Sequence, residues 1–430
     1  MSDTTSPTDP GTDGGQPRRK VHVGRILAVV VALALLAVPV AVFAKVKSDE
    51  RATAQQQAAL DPFYTPPSPL PSSTPGTLIR SEPMAGVKVP GGTAHRILYV
   101  SEQGTSTVRV SGGMVFVPNS PAPAGGRPVL AWAHGTLGQG DACVPSRSAN
   151  PLGDLDWVGQ AMSYGWVVAA TDYSGLGTPG PAAYLIGTDE AKDVLNSVRA
   201  AAQLKDAQTN KQLLVFGHSQ GGHSSLWTAN QAATYAPEYQ LVAAAAAAPA
   251  AELDPLVKLQ WDQVLGWAIA PDVVVDWPAI YPDLDTDAVL TKVGKKNVSR
   301  IADLCIKAAA IEGLVRNKLF KQQMFTKDPT TLPAWAAALD AQSAPAPTVP
   351  TLVLQSESDN VILPQTTAKF IVDSCAAGAP LTQMWIDGVT HMQTAIVGGP
   401  SVMMWLHQRL DGVPNVTNCS IPPPVAPVKG

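Results

Sequence analysis

Short apolar runs and helix-like amphipathic runs alternate along most of this chain. Arg96–Ser101 and Thr107–Val117 read as strands, the second carrying a Gly112-Gly113 pair suited to a bulge. Pro128–Ala133 is the next strand, followed by a helix over Asp156–Tyr164. Trp166–Thr171, Gln212–Phe216 and Leu241–Ala248 continue the strands, separated by helices at Asp189–Leu204 and Gln220–Ala233. This rhythm predicts an α/β protein whose mostly parallel sheet is covered by helices on both faces.

The rhythm stops between Glu252 and Ala344, where the pattern is helical throughout and carries Trp261, Trp267, Trp277 and Trp335. It resumes with a strand at Thr351–Gln355, a helix at Pro364–Ala377, a strand at Leu381–Ile386 and a last helix at Gln393–Leu410. A helical, Trp-rich insertion between two sheet strands is expected to form a cap (252–344) over a core made of 76–251 and 345–430. The competing reading is an extra core layer. No internal repeat is visible.

The N-terminus sets the compartment. Residues 1–25 lack an apolar pattern and are expected to be a disordered cytoplasmic segment, its basic residues Arg18, Arg19, Lys20 and Arg25 staying inside. The uncharged run Ile26–Ala44 would span about 28 Å as a helix, close to the ~30 Å hydrocarbon core. It is expected to be a transmembrane anchor, or a signal sequence cut after Val42-Phe43-Ala44. Either way the remainder is extracytoplasmic. Residues 45–75, with Pro66, Pro67, Pro69, Pro71 and Pro75, read as a stiff, extended linker.

Composition narrows the picture only a little. The chain is 45% hydrophobic and 15% charged, with a formal charge of −4 and no long basic run, which argues against nucleic acid as a partner. Cys143, Cys305, Cys375 and Cys419 make no C-x-x-C pair, so a zinc site is a poor reading. In an exported chain they are expected to pair. Of three possible connectivities we expect Cys143–Cys305, tying the cap to the rim of the site, and Cys375–Cys419, pinning a Pro-rich tail.

Gly217-His218-Ser219-Gln220-Gly221 is a G-x-S-x-G motif. A buried strand precedes it and a small-residue helix start follows, the context of a nucleophile elbow in the α/β-hydrolase fold. A serine hydroxyl needs a base, and in this fold the triad runs Ser, acid, His. Of the histidines after Ser219, His223 follows too closely to leave room for an acid, and His407 sits in the terminal helix. His391, just after a strand, is the expected base. Asp359 follows the strand ending at Gln355 and is the expected acid, with Asp387 the runner-up and Glu357 a minor alternative. The oxyanion hole requires two backbone N–H groups. Gln220 supplies one. Thr136, in Trp132-Ala133-His134-Gly135-Thr136, is expected to supply the other, with the register open by a residue or two toward His134. His134, His218 and His223 read as structural. Asp172-Tyr173-Ser174-Gly175-Leu176-Gly177 reads as a site-lining or structural loop.

With these motifs in place, the chain resembles the secretory lipase family, the Candida antarctica lipase A type, and especially its bacterial exported relatives. The resemblance runs from Asp61-Pro62-Phe63-Tyr64 to the tail. It rests on Trp132–Thr136, Cys143-Val144-Pro145-Ser146, Ala170-Thr171-Asp172-Tyr173, Gly175–Gly180 and Gly217–His223. It implies a lipase or carboxylesterase with a helical cap, and Ser219, Asp359 and His391 fall where the family's triad falls. Ser356 stands where the family pattern has glycine. The expected function is hydrolysis of acyl esters such as triacylglycerols through an acyl-enzyme on Ser219, with Trp261 and Trp267 binding the acyl chain. No metal or organic cofactor is implied. The expected partners are a lipid or small ester substrate and, through the N-terminal segment, a membrane. The alternatives are an acyltransferase using the same triad and a non-catalytic cell-envelope protein on a hydrolase fold.

Overall fold

The computed structural model describes residues 52–429. Its strands are β1 (Leu78–Pro83), β2 (Gly92–Gln103), β3 (Thr107–Pro118), β4 (Arg127–Ala133), β5 (Val167–Thr171), β6 (Thr209–His218), β7 (Gln240–Ala247), β8 (Thr351–Ser356) and β9 (Leu381–Ile386). They form one sheet in the order β1-β2-β3-β5-β4-β6-β7-β8-β9. Pairs from β1 to β5 along that order are antiparallel, and those from β5 to β9 are parallel. The chain's winding direction reverses between β4 and β6. In open α/β sheets such a reversal opens a crevice at the strands' C-terminal ends.

The helices that the site depends on are α1 (Val158–Ser163), α2 (Gly187–Ala201), α3 (Gln220–Tyr235), α4 (Leu253–Gln260), α5 (Leu265–Ala268), α6 (Ala270–Asp276), α7 (Thr286–Val289), α8 (Lys292–Ala302), α9 (Ile306–Leu314), α10 (Pro333–Ala341), α11 (Pro364–Ala376) and α12 (His391–Leu410). Alternate residues of the central strands feed two cores. Leu130, Trp132, Leu214 and Phe216 pack toward α1 and α12, where Trp132, Trp157 and Phe216 meet with ring centroids 5.0–5.4 Å apart. Val129, Ala131, Leu213 and Val215 pack toward α2 and α3. Helices α4–α10 lie between β7 and β8 and have their own apolar cluster around Trp267, Trp277, Met324 and Trp335, joined by Ala183–Ile186 from the core.

Three expectations change. The Gly112-Gly113 pair makes no bulge, because β2 and β3 stay in register throughout. The glycines instead permit close approach: a Cβ at Gly112 would lie 2.5 Å from Asp172 Oδ2, and one at Gly113 2.6 Å from the Ala170 carbonyl. The linker reading of 45–75 fails at its centre, since residues 57–64 are helical. Phe63 and Tyr64 bury themselves against Leu98 and Val110, with the Tyr64 hydroxyl on Ser146 and the Arg147 guanidinium 4.5 Å from the Tyr64 ring. Two aromatic side chains outweigh the prolines that follow. Strand β1 went unread, because its half-polar LIRSEP lacks a clean alternation. The compact unit that includes this fold begins at Gln57. The expected N-terminal segment 1–25, the apolar run 26–44 and the first residues of the linker lie outside the described residues. No helix among the described residues is long and apolar enough to cross a membrane.

Both disulfides pair as expected, Cys143–Cys305 and Cys375–Cys419. The first sits in a wider seam. Gln139 N–H donates to the Ala302 carbonyl and Ile306 N–H to the Leu137 carbonyl, both at 2.8 Å. A Cβ at Gly138 would lie 2.0 Å from the Leu304 oxygen. The loop after β4 is therefore sewn to the α8–α9 corner.

Beneath the site, Asp193 is fully buried and accepts from Ser101 Oγ and from the Ser174 backbone and hydroxyl, joining α2 to the loop after β5. Burial pushes its carboxyl up to about 7 from an ordinary 3.8. The folded protein thus holds this proton more tightly than the unfolded chain. Its stabilising contribution is complete below about pH 4 and is lost as the pH rises toward 7. In urea titrations, wild-type stability should therefore fall relative to Asp193→Asn across that window. Parallel pH profiles would show that Asp193 keeps its unfolded-chain affinity for the proton.

Candidate active site

Strand β6 and helix α3 meet at Ser219, whose φ of 58° and ψ of −117° are strained for a residue with a side chain. The flanking glycines are forced by space. A Cβ at Gly217 would sit 2.0 Å from the Gly221 carbonyl, and one at Gly221 only 1.8 Å from that of Ala133. The turn thus presses the start of α3 against the end of β4 and leaves Ser219 projecting at the crevice.

Ser219 Oγ lies 2.9 Å from His391 Nε2, and His391 Nδ1 lies 2.7 Å from Asp359 Oδ2. All three side chains are buried. His391 is the first residue of α12, and Thr390 caps that helix in a capping box with Gln393. Asp359 is held from the other side: its Oδ1 accepts from Val361 and Ile362 N–H, at 2.8 and 3.0 Å. Asp387 instead is exposed and accepts from Ser358 Oγ and Gly388 N–H, and Glu357 points to solvent. Ser356, at the family's glycine position, donates to the Val389 carbonyl at 2.7 Å and so ties the acid's loop to the loop carrying His391.

His218 and His223 act on the site from below. His218 Nε2 donates to the His391 carbonyl at 2.9 Å, with the two rings 4.7 Å apart. Burial, reinforced by neighbouring His391, lowers its pKa to about 3, so this buttress is neutral. His134 lies within 2.7 Å of the Gly135 carbonyl and 3.3 Å of that of Asp172. His407 stacks on Tyr164 at the surface, 4.1 Å between centroids. Asp172 is structural, accepting from Ser146 N–H at 3.0 Å and from its hydroxyl. One buried carboxylate was not read from the sequence. Glu190 Oε1 accepts from Gln220 Nε2 at 2.8 Å and Leu185 N–H at 2.9 Å, while Oε2 meets Ser224 Oγ and His223 Nδ1. In sequence it was one more first-turn helix acid beside Asp189. Only its placement one helix away from the elbow reveals it as the clamp on Gln220.

Thr136 and Gln220 both face Ser219. A Cβ at Gly135 would come within 3.3 Å of the Ser219 Cβ, which sets the Gly135-Thr136 backbone beside the serine. Thr136 Oγ1 shares a 2.6 Å hydrogen bond with Tyr184 OH. Tyr184 is flanked by Ala183 and Leu185 at φ of 51° and 55°, a strained turn held by the cap: Asp276 accepts its N–H and Trp277 Nε1 donates to its carbonyl.

Ser219 opens onto two spaces. One is almost entirely apolar. Leu256, Trp261, Ile269, Trp277, Phe325 and Trp335 line it, with Thr136 and Gln220 at its mouth. The other is more polar, reaching past His391 to Asp154, Lys307 and Asn360. Of the two tryptophans expected at the substrate, Trp261 lines the apolar space and Trp267 does not. Trp267 is fully buried among helices α4–α10, donating to the Gln322 carbonyl at 3.0 Å beneath the Arg316 guanidinium. Helix α5 is short, and Gly313 lets α9 close directly onto it, against the Trp267 Cβ. Trp277 and Trp335 take the place expected for Trp267.

The secretory lipase model matches residues 153–418, and the chain belongs to that family. Fold and family together make this protein a carboxylic ester hydrolase of the α/β-hydrolase class, acting outside the cytoplasm. It is 23% identical over 415 residues to a lipase A of Moesziomyces aphidis, covering 86% of this chain and 85% of that one. It is 24% identical over 377 residues to a Mycobacterium tuberculosis protein described as a probable inactive lipase, covering 82% of each. Among solved structures it is similar to the closed state of Candida antarctica lipase A, with a TM-score of 0.69 and 17% identity. That match covers 85% of this chain and 89% of the other.

The two tryptophans separate experimentally. Trp261→Ala should shift the acyl-chain-length profile of p-nitrophenyl esters with little change on the shortest. Trp267→Ala should leave that profile in place and lower stability by about 3–5 kcal/mol. The reverse pattern would move the acyl wall to the other side of α5.

Proposed function

We propose that Ser219 is the nucleophile, His391 the general base and Asp359 the group that orients it, in the hydrolysis of acyl esters such as triacylglycerols. The observation that carries this reading is a serine hydroxyl 2.9 Å from an imidazole, on the wall of an apolar cavity. His391 Nε2 takes the Ser219 proton as Oγ attacks the ester carbonyl. The Thr136 and Gln220 backbone N–H groups receive the developing oxyanion, aided by the positive end of α3. His391 then protonates the leaving alcohol, and water activated by the same imidazole releases the acid. Asp359 fixes the tautomer with Nδ1 protonated and offsets the imidazolium charge.

Helices α4–α10 serve as the cap, and their apolar cavity takes the acyl chain. Each methylene buried there contributes roughly 0.8 kcal/mol. The more polar space beyond His391 takes the alcohol. The run Ile26–Ala44 carries the enzyme across the membrane and either stays as its anchor or is cut after Ala44. The intact mass of the exported protein separates these two fates.

Ser219→Ala should abolish ester hydrolysis, by as much as about six orders of magnitude, with the thermal transition preserved. Activity within about tenfold of wild type would remove Ser219 from the mechanism. Asp359→Asn should lower kcat sharply on short esters, while Asp387→Asn leaves it near wild type. The opposite result would give the orienting role to Asp387.

A further inference from the structure

The chain is acidic overall, at −4, yet its charge is unevenly spread. Between Lys292 and Lys327 the sequence holds nine lysines and arginines and two acids, Asp303 and Glu312, a formal +7; from outside the stretch, Asp287 pairs with Lys295 and Gln263 accepts from Lys318. This stretch covers α8, α9 and the turn after them. Glu312 is already engaged by Arg300 and Arg316.

Apolar side chains stand exposed among these cations. Ile311, Leu314, Leu319 and Phe320 are 65%, 53%, 69% and 61% accessible. Their placement follows from how α9 packs. Its inner side carries Ala309 and Gly313, and a Cβ at Gly313 would lie 3.0 Å from the Trp267 Cβ. That turns Lys307, Ile311, Leu314 and Lys318 outward, spaced four, three and four residues apart along one helical stripe. A π turn over Val315–Leu319 then brings Leu319, Phe320 and Lys321 to the end of the stripe. At its other end, Ile306 and Lys307 line the more polar of the two spaces, the one that also reaches Ser219 and His391.

We propose that this face of the cap docks on an anionic lipid bilayer. The apolar side chains enter the interface, and Lys318 and Lys321 meet phosphate headgroups. The pairing of basic and apolar side chains is that of interfacial amphipathic elements. A second copy of the chain is the poorer occupant, because two such faces would repel. The stripe's continuity with the site's entrance means that docking would present the opening to the lipid layer. The proposal depends on the reading of Ser219 only for this last point, the purpose of the docking.

The test uses the full chain. Its four cysteines are bonded in pairs, so Phe320→Cys can carry a polarity-sensitive fluorophore. Phosphatidylglycerol vesicles should shift its emission to the blue, and phosphatidylcholine vesicles should not. Lys318→Glu combined with Lys321→Glu should weaken the preference for phosphatidylglycerol about fivefold per lysine, and raised salt should do the same. Leu319→Ser with Phe320→Ser should lower turnover of an ester carried in phosphatidylglycerol vesicles. All these variants should keep wild-type turnover of a short soluble ester. The proposal is overturned by an unshifted label, by equal shifts on both lipids, or by a shift that follows protein concentration without lipid, which would reveal self-association. Failure of the catalytic reading appears separately, as no turnover of the soluble ester while the label still shifts.

Discussion

The contact between the start of α3 and the end of β4 is the constraint from which the rest of the site follows. No atom fits between the Gly221 backbone and the Ala133 carbonyl. That closeness forces the serine into its strained conformation and brings the β4 loop, with Thr136, alongside it. It also aligns the first N–H groups of α3 with the space above the serine. The strain is supported from below by a buried polar layer of His218, Glu190, His223 and Ser224, in which the Glu190 carboxylate is met by donors from α3 and from the Tyr184 turn. A single unpaired member of that layer would be costly at such depth.

Much of this was legible in the sequence, for reasons that can be given residue by residue. The buried parallel strands announce themselves as short apolar runs, and even Ala243–Ala247, all alanine, reads as a strand because of its place in the rhythm. Alanine suits that strand because α3 packs close against its end, with a Cβ at Gly222 only 3.1 Å from the Ala247 carbonyl. Ser219, His391 and Asp359 were accessible because chain order and strand ends restrict where such groups can stand.

What escaped lay in contacts between segments far apart in the chain. Glu190 meets the elbow only because α2 runs beside α3. Phe63 and Tyr64 look like a linker until the pocket around Ser146 is known. Trp261 and Trp267 are six residues apart in similar surroundings, and nothing local tells which faces the cavity and which supports the helix behind it. The Gly112-Gly113 pair was noticed for the right property, absence of a side chain, but matched to the wrong cause.

The seam at Cys143–Cys305 limits how substrate can enter. Leu137, Gln139 and Cys143 hold the α8–α9 corner at three points, and all three lie on the loop that carries Thr136. Helices α4–α10 swinging away as one rigid body would drag the Thr136 loop out of place beside Ser219. The end of α6 is stitched to the same loop, Asp276 accepting from Gln139 Nε2 at 2.9 Å and from Tyr184 N–H at 3.1 Å. The fixed part of these helices thus runs from α6 to α9 and, like a pane set in its frame, guards the geometry of the chemistry.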